Sequence, residues 1–404
     1  MAPEEQLVKT ALHSRHLDCG ARMGAEGSWA MPLAYRGATD EVRQVRRRAG
    51  VADVSNRGRL RIRGDGALAL LERLCASNVA RQEDDTVRPV LLCNERGGIA
   101  EYAHLVRLED AWLLITDAMN RFKVLERLQA HAAGREVKID DRTEKTAHLA
   151  VLGPEAPRIL DAVLPLKVSD LPRGAVRTGS LMIARYIGMR IDCGGLWGLE
   201  VILPGMFAPL AWDFITKKAG DNAVAPFGAV ARDILRIEEG LPRYGYELNE
   251  TIDPFTAGLA GAVDFGGAGA DPAHDFLGKG ALLPMRHRPA ARKRVGLVLT
   301  APAGQSVSVQ AATPDHASAG ESKPASAGGQ LILPPGAPIF DEAGAEVGTI
   351  TSAAYSPTMD ALIAMAYVTA GAAQAGTPLR IGSAGQGAAA HVADLPFVAG
   401  AGCR

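Results

Sequence analysis

The chain has 404 residues, 47% of them hydrophobic and 22% charged, with a formal net charge of −1. That length exceeds one compact core and predicts two or three domains of an ordinary globular protein. A charge near zero gives no electrostatic footing for nucleic acid or an anionic membrane, and no apolar run reaches the ~20 residues that a bilayer-spanning helix needs.

Five cysteines (Cys19, Cys75, Cys93, Cys193 and Cys403) are scattered and never in C-x-x-C spacing. They predict free thiols in a reducing cytoplasm, with neither a disulfide framework nor a metal site. The N-terminus, MAPEEQLVKTALHSRH, is polar and carries no apolar signal core, which fits a cytoplasmic location.

Residues 13–35 show no clear period. Asp40-Glu41 opens a helix through Arg48 whose outer face is basic (Arg43, Arg46, Arg47, Arg48). The run is short and isolated, as expected of a solvated helix face rather than a nucleic-acid site. Leu60 and Ile62 alternate with Arg59, Arg61 and Arg63, the pattern of a half-buried strand. Residues 67–74 predict an amphipathic helix. Strands at 90–93 and 103–108 flank the tight loop Asn94-Glu95-Arg96-Gly97-Gly98, and 113–116 is another strand. Strands and helices intermix without the β–α alternation of a doubly wound sheet, so the fold class is α+β.

Residues 147–152 form a short apolar strand that ends at Gly153-Pro154. The glycines of 190–198 do not spell G-x-G-x-x-G between a strand and a crossover helix, which argues against a dinucleotide site. Glu200 sits within the apolar strand Leu199-Glu200-Val201-Ile202-Leu203, where a charge is costly unless it is partnered or turned to solvent. Further on, Val230, Ile234 and Ile237 recur at i, i+4, i+7 and predict a helix, with Arg232, Arg236 and Glu239 opposite that stripe. Gly240 and Pro242 stop it. A turn, Arg243-Tyr244-Gly245-Tyr246-Glu247, and an acidic loop closed by Pro254 follow. Residues 302–330, rich in Ala, Gly, Ser and Pro, predict a disordered insertion. The short strands and turns beyond it predict a small barrel.

The segments together resemble the glycine-cleavage T-protein (aminomethyltransferase) family. The helix and its sequel match A-R-D-x-L-R-x-E-x-G-L, then Y-G, an acidic loop and P-x-x-A-G-L. His16, Gly20-Ala21-Arg22 and Trp29-Ala30-Met31-Pro32 match the family's opening, and Asp275-Phe276-Leu277-Gly278-Lys279 matches D-F-I-G-K. The resemblance covers nearly the whole chain. It implies a folate-binding region over 1–285, built from two interleaved α+β domains with the second at roughly 51–140. It also implies a C-terminal β-barrel domain over 292–404, carrying the insertion near 302–330.

What the resemblance implies about chemistry is a tetrahydrofolate-dependent one-carbon transfer. Glu200 and Arg232 stand where the family holds the pterin ring, with Tyr244 beside them, and tetrahydrofolate or a related reduced pterin is the implied cofactor. The implied donor is a lipoylated H-protein or a small molecule. Departures gather where substrate chemistry occurs. The family's N-E-x-G-G-x-x-D-D appears with Glu101 at its first acidic place and Tyr102 at its second, catalytic one. Asp117 replaces an Asn, Asn56-Arg57 replaces His-Met, and Cys193 replaces a Tyr. Tyr102, Asp117 and Glu101 are therefore the candidate catalytic residues. A phenol with a pKa near ~10 is no anion at neutral pH, but it donates a hydrogen bond to a leaving heteroatom. The alternatives are a folate-dependent demethylase of a small O-, S- or N-methyl compound, and a pterin-binding protein without turnover. The K-G-C-Y-x-G-Q-E motif of the related iron–sulfur assembly branch is absent.

Overall fold

The structure, a computed structural model, describes residues 7–164, 167–181, 183–193, 195–218, 223–266, 274–300, 306–309, 330–382 and 387–398. Helices and strands intermix as the α+β class requires. A six-stranded sheet runs in the order Val176–Leu181, Ala184–Arg190, Gly198–Pro204, Thr146–Leu152, Gly50–Asp53, Ala225–Pro226. A five-stranded sheet uses the contiguous stretch between, in the order Thr86–Cys93, Ile99–Leu108, Ala111–Thr116, Gly58–Arg63, Lys138–Asp141. Helices Ala67–Leu74 and Arg121–Ala132 cover one of its faces through Leu70, Leu71, Leu74, Val124 and Leu128. Its other face meets the six-stranded sheet where Val106, Leu113 and Ile115 pack on Val176, Met189 and Ile202. A small three-stranded sheet adds Val8–Lys9, Trp29–Ala34 and Arg22–Glu26.

The C-terminal strands close into a six-stranded barrel, Arg292–Thr300, Ala361–Thr369, Glu346–Ser356, Pro338–Phe340, Pro378–Ile381 and Ala388–Ala393. Its interior is filled by Leu297, Ile339, Ala364, Ala366, Val368, Ile381 and Val392. Of the stretch expected to be a disordered insertion, Ser306–Val309 forms a strand pairing in parallel with Gln330–Leu333. The remainder of 302–330 up to that second strand lies outside the described residues.

Helix Ala229–Glu238 joins these parts. It packs on helix Ala38–Arg47, on strand Trp29–Ala34 and on two barrel strands, Glu346–Ser356 and Ala361–Thr369. Val230, Ile234 and Ile237 are buried with Val42 and Val45, as their spacing predicts. A Cβ on Gly228 would lie 2.2 Å from the carbonyl oxygen of Leu33, so a glycine lets the helix begin this close to the strand. The exposed basic face expected of helix 38–47 is only partial. Arg46 donates from Nη2 to Glu238 Oε2 at 2.6 Å, tying the two helices together. Arg59, expected on the solvent side of its strand, is fully buried and caps the carbonyls of Ser55 and Thr146, each at 3.0 Å. Cys19, Cys75, Cys93 and Cys193 are free thiols; Cys403 lies outside the described residues. Among the described residues no helix is long and apolar enough to cross a membrane.

Candidate functional site

A cavity of about 320 Å³ opens where the two large sheets, the three-stranded sheet and helix Ala229–Glu238 converge. Tyr102, Asp117, Glu200, Arg232 and Tyr244 all line it. Glu101 does not. Successive residues of a strand point to opposite faces, so Tyr102 on Ile99–Leu108 faces the cavity and Glu101 turns into the core.

Glu200 projects from Gly198–Pro204. Arg57 Nη1 donates to Glu200 Oε1 at 2.8 Å, and His148 Nε2 stands 2.7 Å from Oε2, off the line a hydrogen bond needs. Burial alone would raise the Glu200 pKa, but Arg57, His148 and His104 pull it far below the usual carboxylate range. The charge that looked costly in an apolar strand is thus compensated.

On the facing wall Arg232 pairs with Glu26 rather than with Glu200. Its Nη2 lies 2.8 and 2.6 Å from the two carboxylate oxygens. Arg243 bridges onward, donating from Nη2 to Glu26 Oε1 at 2.9 Å and from Nε to Asp117 Oδ2 at 2.9 Å. Burial opposes the charge on Arg243, yet Asp117 and Glu26 hold it firmly protonated. The main-chain N–H of Met119 donates to Asp117 Oδ1 at 2.9 Å, so both oxygens of Asp117 are occupied. Burial raises the pKa of the Tyr102 phenol and keeps it neutral, and burial lowers that of His104, two residues along the same strand. Cys193, at the family's tyrosine place, lines the cavity with its thiol pushed up to about 12 by burial.

Glu26, Arg57, His148 and Arg243 were not singled out from the sequence as site residues. Arg57 carried the best signal, a basic residue where the resembled motif has methionine. Glu26 carried none, because its partner Arg232 is 206 residues away along the chain.

Glu101 is fully buried, and its carboxyl accepts from Asn120 Nδ2 at 2.9 Å and from the N–H of Tyr102 at 3.0 Å. Burial first, then the nearby Asp117 charge, raise its pKa well above the ordinary value. A carboxyl whose folded pKa is raised binds its proton more tightly when folded. Its contribution is therefore greatest in acid and is lost as pH climbs from the ordinary carboxylate range to the raised value. In Glu101→Gln that slope should vanish. Paired urea titrations from pH 4.5 to 8.5 should show wild type losing ground to the variant as pH rises, and parallel curves would remove the assignment.

Comparison with known proteins gives a consistent result. Residues 12–267 match the GCVT N-terminal domain, and residues 324–399 match the glycine cleavage T-protein C-terminal barrel domain. An aminomethyltransferase of Thermus thermophilus is 33% identical over 399 residues, covering 97% of this chain and 99% of the relative. One from Deinococcus deserti is 32% identical over 402 residues, with 98% of each chain covered. The crystal structure of glycine cleavage system aminomethyltransferase T from Bartonella henselae is 28% identical and superimposes with a TM-score of 0.81, covering 98% of this chain and 99% of that one.

Proposed function

Because the chain belongs to the glycine cleavage T-protein (aminomethyltransferase) family, we propose that it is a tetrahydrofolate-dependent one-carbon transferase. In this reading residues 1–285 are the folate-binding body and 292–404 the barrel domain. The observation that carries it is one cavity shared by Glu200, Arg232, Tyr244, Tyr102 and Asp117. The donor and acceptor set fits a reduced pterin. Asn56 Oδ1 is a buried acceptor in the wall with no hydrogen-bond partner among the described residues, and Glu200 lines the same cavity. Such acceptors suit the parallel donors of a pterin's 2-amino and N3–H groups. Glu200 and Arg232 would hold the ring from facing walls, with Tyr244 lining the same cavity.

Tetrahydrofolate, when bound, supplies a nucleophilic nitrogen that takes up the one-carbon unit. The chain's own residues orient the donor and manage the proton. Tyr102 holds a proton at its phenol oxygen, where a leaving heteroatom can accept it. Asp117, fixed by Arg243, supplies negative charge beside Tyr102, at the end of the neighbouring strand of the same sheet. A second reading follows from Tyr102: demethylation of a small O-, S- or N-methyl compound asks for a hydrogen-bond donor there, whereas release from a lipoylated H-protein asks for a carboxylate. A methyl-donor screen separates turnover from pterin binding without catalysis.

Loss of one charge-assisted partner should cost on the order of 2–5 kcal/mol, at least a tenfold drop in affinity. Calorimetric titration of tetrahydrofolate into wild type and Glu200→Gln decides it; equal affinities sink the proposal.

A further inference from the structure

We propose that Ser352 of the barrel is a positioning residue for the cavity: acting through Glu247 and Arg243, it holds Asp117 and Glu26 in place on the cavity wall. This rests on the one-carbon transfer proposed above and deepens it.

Among the described residues no part of the barrel lines the cavity. The barrel reaches it at one remove, through the turn that follows the central helix. Leu241, Pro242, Arg243 and Tyr244 of that turn all line the cavity. The turn closes on itself where the N–H groups of Glu247 and Leu248 donate to the carbonyl of Arg243, each at 3.1 Å. Barrel groups grip it from outside. Arg294 Nη1 donates to the Gly240 carbonyl at 2.5 Å, and the Tyr367 hydroxyl donates to the Glu247 carbonyl at 3.0 Å.

The grip on the Glu247 side chain depends on an irregularity in strand Glu346–Ser356. Successive residues of a regular strand point to opposite faces, so Thr351 and Ser352 would not both reach one carboxylate. Against Ala361–Thr369 the register steps from Ile350 opposite Ala366 to Ser352 opposite Met365, which leaves Thr351 as the extra residue of a β-bulge. The bulge re-aims the chain, and both hydroxyls donate to Glu247 Oε1, Thr351 at 2.8 Å and Ser352 at 2.6 Å. The two are not equivalent. Thr351 also reaches the carbonyl of Met365 at 3.0 Å. Ser352 is fully buried, and its oxygen accepts from Arg236 Nη2 at 2.7 Å, so it joins the carboxylate to the guanidinium.

From Glu247 the connection runs inward. Its Oε2 accepts from the main-chain N–H of Arg243 at 3.0 Å and from Arg236 Nη1 at 2.8 Å. That fixes the backbone from which the Arg243 side chain reaches Asp117 Oδ2 and Glu26 Oε1, each at 2.9 Å. Glu26 in turn accepts from Arg232. Without the Ser352 hydroxyl, Glu247 Oε1 and Arg236 Nη2 each lose a partner away from water, where an unpaired polar group is costly. The carboxylate then turns toward its remaining donors, and the anchor of the Arg243 N–H loosens with it.

The test reads Arg243 directly, in the full-length protein without folate. Solvent exchange of its Nε–H, which donates to Asp117, is followed by NMR on protein carrying isotope-labelled arginine, the signal being assigned by its absence in Arg243→Lys. Ser352→Ala should speed that exchange about tenfold, the scale of one lost hydrogen bond to a charged group. Ser352→Thr keeps a hydroxyl and should exchange like wild type. Ile339→Val removes a methyl from the barrel core away from these hydroxyls; it lowers stability by packing alone and should leave the rate unchanged. Wild-type exchange in Ser352→Ala overturns the proposal, and so does an equal acceleration in Ile339→Val. If Ser352→Ala does not fold, Ser352→Cys, near in size and a weaker donor, takes its place under the same criteria. Tetrahydrofolate is then titrated by calorimetry into the same proteins. Ser352→Ala should bind it about tenfold more weakly, with Ser352→Thr and Ile339→Val close to wild type. Equal affinity in Ser352→Ala overturns the proposal. A wild type that binds no tetrahydrofolate defeats the folate reading and leaves the exchange rates to decide the positioning, whereas folate binding with unchanged exchange does the reverse.

Discussion

Glu247→Leu should cost ~3–5 kcal/mol of stability, the scale for breaking a buried ion pair and leaving one charge behind. Glu247 is fully buried and gathers donors from several elements. Arg236 Nη1 and the N–H of Arg243 donate to Oε2 at 2.8 and 3.0 Å. The hydroxyls of Thr351 and Ser352, both in the barrel, donate to Oε1 at 2.8 and 2.6 Å. Arg236 also donates from Nη2 to Ser352 Oγ at 2.7 Å and from Nε to Asp233 Oδ1 at 2.7 Å. With leucine at 247, Arg236 keeps only Asp233 as a charged partner, the Ser352 hydroxyl loses its acceptor and that of Thr351 falls back on the carbonyl of Met365 at 3.0 Å. Arg236→Met combined with Glu247→Leu removes both charges, so the double variant should be more stable than the sum of the singles predicts by more than ~1 kcal/mol. Urea denaturation of the four proteins measures the coupling. Additive losses would mean that the cluster does not act as one network.

That cluster also marks where sequence reasoning stops. The spacing of Val230, Ile234 and Ile237 places the apolar stripe of the central helix correctly, because a 3.6-residue period is a property of the segment itself. The same wheel puts Arg236 opposite the stripe, but it carries no information about what covers that side. Barrel residues more than a hundred positions away do so, and Arg236 ends 8% exposed. Arg59 makes the same point for strands. Alternation gives its face, and the carbonyls of Ser55 and Thr146 that enclose it come from packing. The barrel was legible because short strands and turns recur at close spacing, and the family motifs ordered the parts before any contact was known. In the site, alternation sufficed to turn Glu101 inward once Tyr102 faced the cavity. The pairs Arg57–Glu200 and Arg232–Glu26 span 143 and 206 residues, and no local pattern announces them. Motif matching found one member of each and missed the other.

Tyr102→Phe should lower folate-linked methyl transfer by roughly 10²–10⁴-fold, the usual contribution of a positioned proton donor. The phenol is held neutral by burial, its pKa raised despite Arg294, so it stays a donor up to and beyond its ordinary value near ~10. Turnover that depends on this group should show no alkaline fall below that range. Asp117→Asn should also depress turnover, because it removes the anion that Arg243 holds at 2.9 Å and leaves that arginine leaning on Glu26 alone. Glycine-cleavage activity with a lipoylated carrier should be weak or absent in wild type, since Tyr102 stands where the resembled motif has its catalytic aspartate and Glu101 faces away from the cavity. A reconstituted cleavage assay and a methyl-donor assay, run on wild type, Tyr102→Phe, Tyr102→Asp and Asp117→Asn, distinguish the roles. Robust cleavage by wild type that survives Asp117→Asn would refute a relocated carboxylate. A gain of cleavage in Tyr102→Asp, with loss of methyl transfer in the same variant, would trace the choice of reaction to a single side chain: a carboxylate at 102 offers charge to an aminomethyl donor, and a phenol offers a proton to a departing heteroatom.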